Sequence, residues 1–255
     1  MLAILAMVLA AGKSQAILWT PGSVPNTEPV TLELQILLEP NWHSYWLDPG
    51  EAGSPPELKW KLPEGWKVRE VVWPLPERFE HAGIMTVGYT KEVRASVVVE
   101  PAAGAQGRFE IGADLGLVVC EEECVYETHS LQAALDIGPG SASQPLPKPG
   151  VPRPSYRFQD HATFRFTEGE IHLDVPRLIE VTGTPPYVLC ETAGLLDLRA
   201  PVSSWKTEAG IHKVVLRTTS HEVSVSDELT FIVPANDTVA YRVTARRAKT
   251  KENKE

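Results

Sequence analysis

Apolar residues recur at every second position through much of this chain, in short runs broken by proline and glycine, and helical periodicity is nearly absent. Thr31–Ile36, Val93–Val99 and Arg108–Ala113 each show the period of two that sends alternate side chains into a core and into water. The 22 prolines and 18 glycines fall at intervals that suit short antiparallel strands, which argues against an α/β fold. The expectation is an all-β protein: an immunoglobulin-like β-sandwich followed by a second, smaller β-sandwich domain.

The boundaries follow from composition. Residues 17–137 form the first sandwich. Residues 138–154 are rich in proline, glycine and serine, with almost nothing to bury, and read as a linker. A second strand-rich region spans 155–244, with runs at Thr163–Phe166, Glu170–Val175, Ile211–Arg217, Glu228–Val233 and Val239–Thr244. Residues 245–255 read as a solvated charged tail.

At the other end, residues 1–16 read as a signal peptide. An apolar run over residues 1–11 is too short to span a bilayer, and Ser14-Gln15-Ala16 offers small residues for a cut after Ala16. Beyond it no run approaches the ~20 apolar residues of a membrane helix, so no membrane span is expected in the mature chain. A net charge of −9 and the lack of clustered Lys and Arg argue against nucleic acid as a partner. Export also changes what cysteines mean, because thiols outside the cytoplasm tend to be oxidised. The chain has three: Cys120, Cys124 and Cys190.

In Val118–Tyr126, apolar residues flank Cys120-Glu121-Glu122-Glu123-Cys124, the pattern of two strands joined by a tight hairpin. The cysteines then sit at the two strand ends, within reach of a disulfide. Closing a three-residue loop removes little entropy from the unfolded chain, so such a bond adds little to stability and is free to serve chemistry. Thiol–disulfide exchange needs this arrangement, since the second thiol must lie close enough to resolve a mixed disulfide. The three glutamates disfavour thiolate unless His129, Lys91 or Arg94 approaches. Two other readings stay open. One is an inert hairpin disulfide in a protein-docking sandwich. The other is a copper(I) site built from Cys120 and Cys124 with His129 or His43, because soft thiolates suit that ion.

Further motifs carry a family resemblance. Asn41–Gly50, Leu62–Trp66, Trp73–Phe79, Gly88-Tyr89 and Val119-Cys120 with Cys124 resemble, in order, the periplasmic N-terminal domain of the thiol:disulfide interchange protein DsbD, most of all its ScsB-type relatives. The likeness covers roughly Thr31 to Ile137. Pro185–Asp197 faintly resembles the extra β-domain of those relatives. The resemblance implies an immunoglobulin-like redox domain in the periplasm, with Cys120 and Cys124 as its redox cysteines and Tyr45 and His43 near them. It implies a thioredoxin-like electron donor, here a separate protein, and periplasmic thiol oxidoreductases as acceptors, serving disulfide isomerisation, cytochrome c biogenesis or copper resistance. No cofactor is implied. His81-Ala82-Gly83 stands about where the best-known members carry an aromatic cap over the disulfide, and Tyr89 and His129 complete the near-site candidates.

Trp42, Tyr45, Trp46, Trp73, Phe79 and Tyr89 are expected to fill core rather than to line a docking face. Cys190, within an apolar run, reads as a buried thiol, with an intermolecular bridge as the alternative. Nothing supports a hydrolase or a nucleotide-binding reading.

Overall fold

The structure, a computed structural model, describes residues 12–146 except 82, and 155–248 except 179, 182–184, 186, 201, 220–225, 237 and 238. The described residues form β-strands and no helix. The first eleven strands are β1 (Ser14–Trp19), β2 (Ser23–Val24), β3 (Val30–Leu38), β4 (His43–Gly50), β5 (Glu57–Lys61), β6 (Lys67–Val72), β7 (Glu77–His81), β8 (Ile84–Tyr89), β9 (Glu92–Glu100), β10 (Gly107–Cys120) and β11 (Cys124–Ile137). After them come β12 (Ser155–Thr167), β13 (Glu170–Pro176), β14 (Leu189–Cys190), β15 (Val202–Glu208), β16 (Ile211–Arg217), β17 (Glu228–Asn236) and β18 (Val239–Arg247).

Contacts divide the chain into two compact units that interleave in sequence. The first comprises Met1–Ser44, Glu57–Val72 and Thr90–Lys148; the second comprises Tyr45–Pro56, Trp73–Tyr89 and Pro149–Glu255. In the first unit one sheet runs β1-β3-β9-β6, and β2, β10, β11, β5 and the start of β4 belong to another. The alternation read from sequence is the burial pattern observed. Leu32, Leu34 and Ile36 on β3, Val93, Ala95, Val97 and Val99 on β9, and Ile111, Ala113 and Leu115 on β10 are all at most 1% exposed.

In the second unit seven strands follow one path, β14-β17-β18-β12-β13-β16-β15. Its core gathers Phe164, Ile171, Leu173, Val175, Leu216, Phe231, Val233 and Val243. The segments 45–56 and 73–89 are tied to this unit by polar contacts. Arg199 donates from Nε and Nη2 to the two oxygens of Glu51, each at 2.6 Å, and from Nη2 to the Gly83 carbonyl at 2.8 Å. Gly194 N donates to Asp48 Oδ1 at 3.2 Å, and Arg78 donates to the Leu198 carbonyl while lying 4.9 Å over the Tyr187 ring.

Three boundaries read from sequence change. Of the expected signal peptide, residues 1–11 lie outside the described residues, but Ser14, Gln15 and Ala16 pair with Leu38, Leu37 and Ile36 as the first half of β1. A cut after Ala16 would remove those three rungs. Residues 138–144 of the expected linker are bonded down: Gly138 N donates to Val24 O at 3.0 Å, and Gln144 N to Pro21 O at 2.9 Å. Residues 147–154 lie outside the described residues. Finally, Ala245–Arg247 of the expected tail continue β18, where Arg246 pairs with Glu228 and Arg247 with Asp227, each at 3.1 Å. Residues 249–255 are not among those described.

Candidate functional site: a disulfide at a hairpin end

β10 and β11 pair in unbroken register from Gly107↔Ile137 to Cys120↔Cys124. The last rung is the disulfide. Its Cα atoms lie 4.1 Å apart and its sulfurs 2.07 Å apart. A Cα separation this short belongs to the close, non-hydrogen-bonded kind of cross-strand pair, the kind that brings opposed side chains nearest. The three-residue loop closes with Glu121 N donating to Glu123 O at 3.1 Å.

The two sulfurs occupy different surroundings because β10 is an interior strand at this end and β11 is not. Cys120 is 2% exposed, flanked by Cys124 on one side and by His43 of β4 on the other, in direct register. Cys124 is exposed, as are the next two residues of β11, Val125 at 41% and Tyr126 at 60%. By strand alternation Tyr126 shares a face with Cys124. Its hydroxyl lies where a Cβ on Gly116 would stand, only 2.1 Å from that position, so the ring lies across the bare backbone of β10. Glu122 and Glu123 are exposed and Glu121 is partly so. An approaching partner therefore meets one accessible sulfur beside an aromatic ring and three carboxylates.

The other expected site residues are placed as follows. His43 is 5% exposed and opposite Cys120. Tyr45, two residues further along β4, is 5% exposed. Its ring lies against Gly53, where an added Cβ would sit 2.2 Å from Cε1, and burial pushes its phenol pKa up. Tyr89 is 1% exposed and donates its hydroxyl to Pro74 O at 2.8 Å, a core role. His81 is exposed at the end of the β7–β8 hairpin, in the unit that does not contain the disulfide.

His129 is a correction. It lies opposite Leu115, five rungs from the disulfide, which at a strand rise of about 3.3 Å is about 16 Å away. An odd spacing also turns its side chain to the other face of β11 from Cys124. Its Nε2 instead lies 2.8 Å from Ser14 Oγ. Burial pushes its pKa down, against the pull of Glu127. It therefore neither tunes the pair nor completes a copper(I) site with Cys120 and Cys124. Arg94, the cation weighed as a thiolate partner, is held in the other sheet by Glu33 and by Glu92, the latter at 2.6 Å. Among the described residues no group of three or more His, Cys, Asp or Glu is arranged to hold a metal ion.

Cys190 is fully buried and outside any disulfide, and burial pushes its thiol pKa up to about 12. Trp46 is fully buried and Trp73 5% exposed, as core residues. Sequence reasoning missed Asp48, which is 1% exposed, accepts from Gly50 N at 3.3 Å and Gly194 N at 3.2 Å, and has its pKa raised by burial. Its partner at Gly194 is 146 residues away, and no local pattern announces such a contact.

Fold and site together define a β-sandwich domain of the thiol–disulfide type, with its cysteine pair at the end of a hairpin. Residues 15–136 match the family model described as "Thiol:disulfide interchange protein DsbD, N-terminal". The solved N-terminal periplasmic domain of ScsB from Proteus mirabilis is similar over 93% of this chain and 94% of its own length, with a TM-score of 0.53 and 20% identity, which shows a shared fold. The major pilin subunit BcpA of Bacillus cereus is a weaker likeness on which nothing here rests, with a TM-score of 0.31 and 7% identity over 92% of this chain and 71% of that one. No curated protein sequence matches significantly. Among the described residues no helix is long and apolar enough to cross a membrane.

Proposed function

We propose that the Cys120/Cys124 pair works in the periplasm and passes electrons from a thioredoxin-like donor to periplasmic thiol oxidoreductases. The observation that carries this reading is the asymmetry of the pair, an exposed Cys124 bonded to a buried Cys120. The family match supports the same chemistry. A donor thiolate attacks Cys124 Sγ, the sulfur it can reach; a mixed disulfide forms and Cys120 leaves as thiolate. The donor's second thiol then attacks its own sulfur, releasing Cys124. Two electrons and, after proton uptake from water, two protons have arrived. In the forward direction the Cys124 thiolate attacks an acceptor disulfide. Cys120 then attacks Cys124 Sγ, which expels the acceptor thiolate and restores the original bond.

The short loop serves this cycle. Its closure costs the unfolded chain little, so the fold does not depend on the bond and tolerates both redox states. Trapping tests the proposal. In Cys120→Ser the remaining Cys124 lacks its resolving thiol and should accumulate mixed disulfides with thioredoxin-like proteins in the periplasm. Absence of such adducts, together with a disulfide that reduced thioredoxin leaves intact, would overturn the reading in favour of a structural bond.

A further inference from the structure

One carboxylate takes up three donors at the start of β1. Glu127 Oε1 accepts the backbone N–H of Lys13 at 2.6 Å, and Oε2 accepts the N–H of Ser14 at 3.0 Å and its hydroxyl at 2.5 Å. Ser14 is 4% exposed and the Glu127 side chain 14%. A partly buried carboxylate thus directs both its oxygens at the first residue of β1 and the residue before it. That is how a protein captures a chain terminus, where an ammonium would supply the opposite charge. Sequence adds a second, independent observation. Ala10 and Gly12 are small residues at the third and first positions before the Gly12–Lys13 bond, directly after the apolar run. At Gly12 itself a Cβ would stand 3.3 Å from Glu127 Oε1, so the carboxylate also lies close to the residue before Lys13.

We propose that the exported chain is cut between Gly12 and Lys13, and that Glu127 binds the new α-ammonium of Lys13 as an ion pair. The step is a hydrolysis by a leader peptidase. Water adds to the Gly12 carbonyl, the C–N bond breaks, Gly12 departs as a carboxylate and the Lys13 nitrogen takes up protons as an ammonium. The strand then begins with all its pairing residues intact, which a cut after Ala16 would not permit. The new positive charge comes to rest beside Glu127, three residues along β11 from Cys124.

This rests on the periplasmic reading above, and the experiment separates the two. The full chain from Met1 is expressed in a bacterium with a periplasm, and the periplasmic and cytoplasmic fractions are analysed by intact mass and N-terminal sequencing. A start at Lys13 is the expected result. A periplasmic protein that starts at Ile17 or elsewhere overturns this inference alone, whereas a chain that keeps Met1 inside the cell overturns both. The ion pair has its own readout in the acylation rate of the α-amine near neutral pH. Raising an amine pKa by one unit lowers its reactive fraction about tenfold. The Lys13 α-amine should react about tenfold more slowly in the folded protein than in urea, and Glu127→Gln should abolish most of that difference. Equal rates in the folded wild type and the variant would overturn the assignment of Glu127.

Discussion

His43 stands directly opposite Cys120 across the β4–β10 ladder, so an imidazole and the buried sulfur of the disulfide share one rung. Opposed residues of an antiparallel pair have Cβ atoms about 5 Å apart, close enough for a ring N–H to approach a thiolate. When Cys124 is attacked, Cys120 is the leaving sulfur, and a leaving thiolate that is better stabilised leaves faster. His43→Phe should therefore slow reduction of the disulfide by dithiothreitol several-fold at neutral pH and make the couple more reducing. Stopped-flow rates and a redox titration against glutathione measure both effects. An unchanged rate and potential would remove His43 from the site.

The three thiols should form a steep reactivity order. In Cys120→Ser the exposed Cys124 should react with a maleimide within seconds to minutes. In Cys124→Ser the thiol of Cys120, 2% exposed, should react at least tenfold more slowly. Cys190, with its pKa pushed to about 12 and no exposed surface, should stay unlabelled until the protein unfolds. Timed labelling read by mass spectrometry checks the order, and rapid native labelling of Cys190 would contradict it.

Gly53 is a point where the backbone admits no side chain. It has φ of 98°, and a Cβ there would lie 2.2 Å from the buried Tyr45 ring. Gly53→Ala should destabilise the protein by about 2–4 kcal/mol, combining left-handed strain with displacement of the ring. Gly116→Ala makes an equally close contact, but with the hydroxyl end of an exposed Tyr126 that can swing away, so it should cost less than about 1 kcal/mol. Urea titrations of the two variants give the comparison. A larger loss at Gly116 than at Gly53 would refute the argument.

His129 predicts a pH dependence of stability. Its pKa is lowered in the folded state, so below the unfolded value of about 6.5 the unfolded chain binds more protons than the folded one. Stability therefore falls as pH drops through about 6.5 and levels off below the folded pKa. His129→Gln, which keeps a polar partner for Ser14, should flatten this part of the profile. Urea midpoints between pH 5 and 8 test it, and an identical slope in the variant would exclude His129 as the source.

Much of the molecule was legible because its signals are local. The period of two over Val93–Val99 is a burial pattern any antiparallel sheet would impose, and it is observed on β9. The hairpin around Cys120 and Cys124 needed only a polar loop between two apolar runs. The misjudged features depend on counting along a strand or on partners far away in sequence. His129 lies five residues from Cys124, which reads as proximity on a list but in an extended chain is about 16 Å and a change of face. Ser14–Ala16 resembled a cleavage site because small residues are also compatible with a strand. The bonds from Arg199 to Glu51 link positions 148 apart, so the interleaving of the two units left no trace in composition or periodicity.

The seclusion of Cys190 bears on how the chain acquires its bond. Three thiols permit three alternative pairings, and an oxidant meeting the unfolded chain could trap any of them. Contact probability favours the near neighbours Cys120 and Cys124, since each doubling of a loop raises its closure cost by about 0.6 kcal/mol. Once the second unit has packed around Cys190, the wrong cystines are inaccessible. Under the proposed function, exchange then opens and reseals the correct one repeatedly without scrambling.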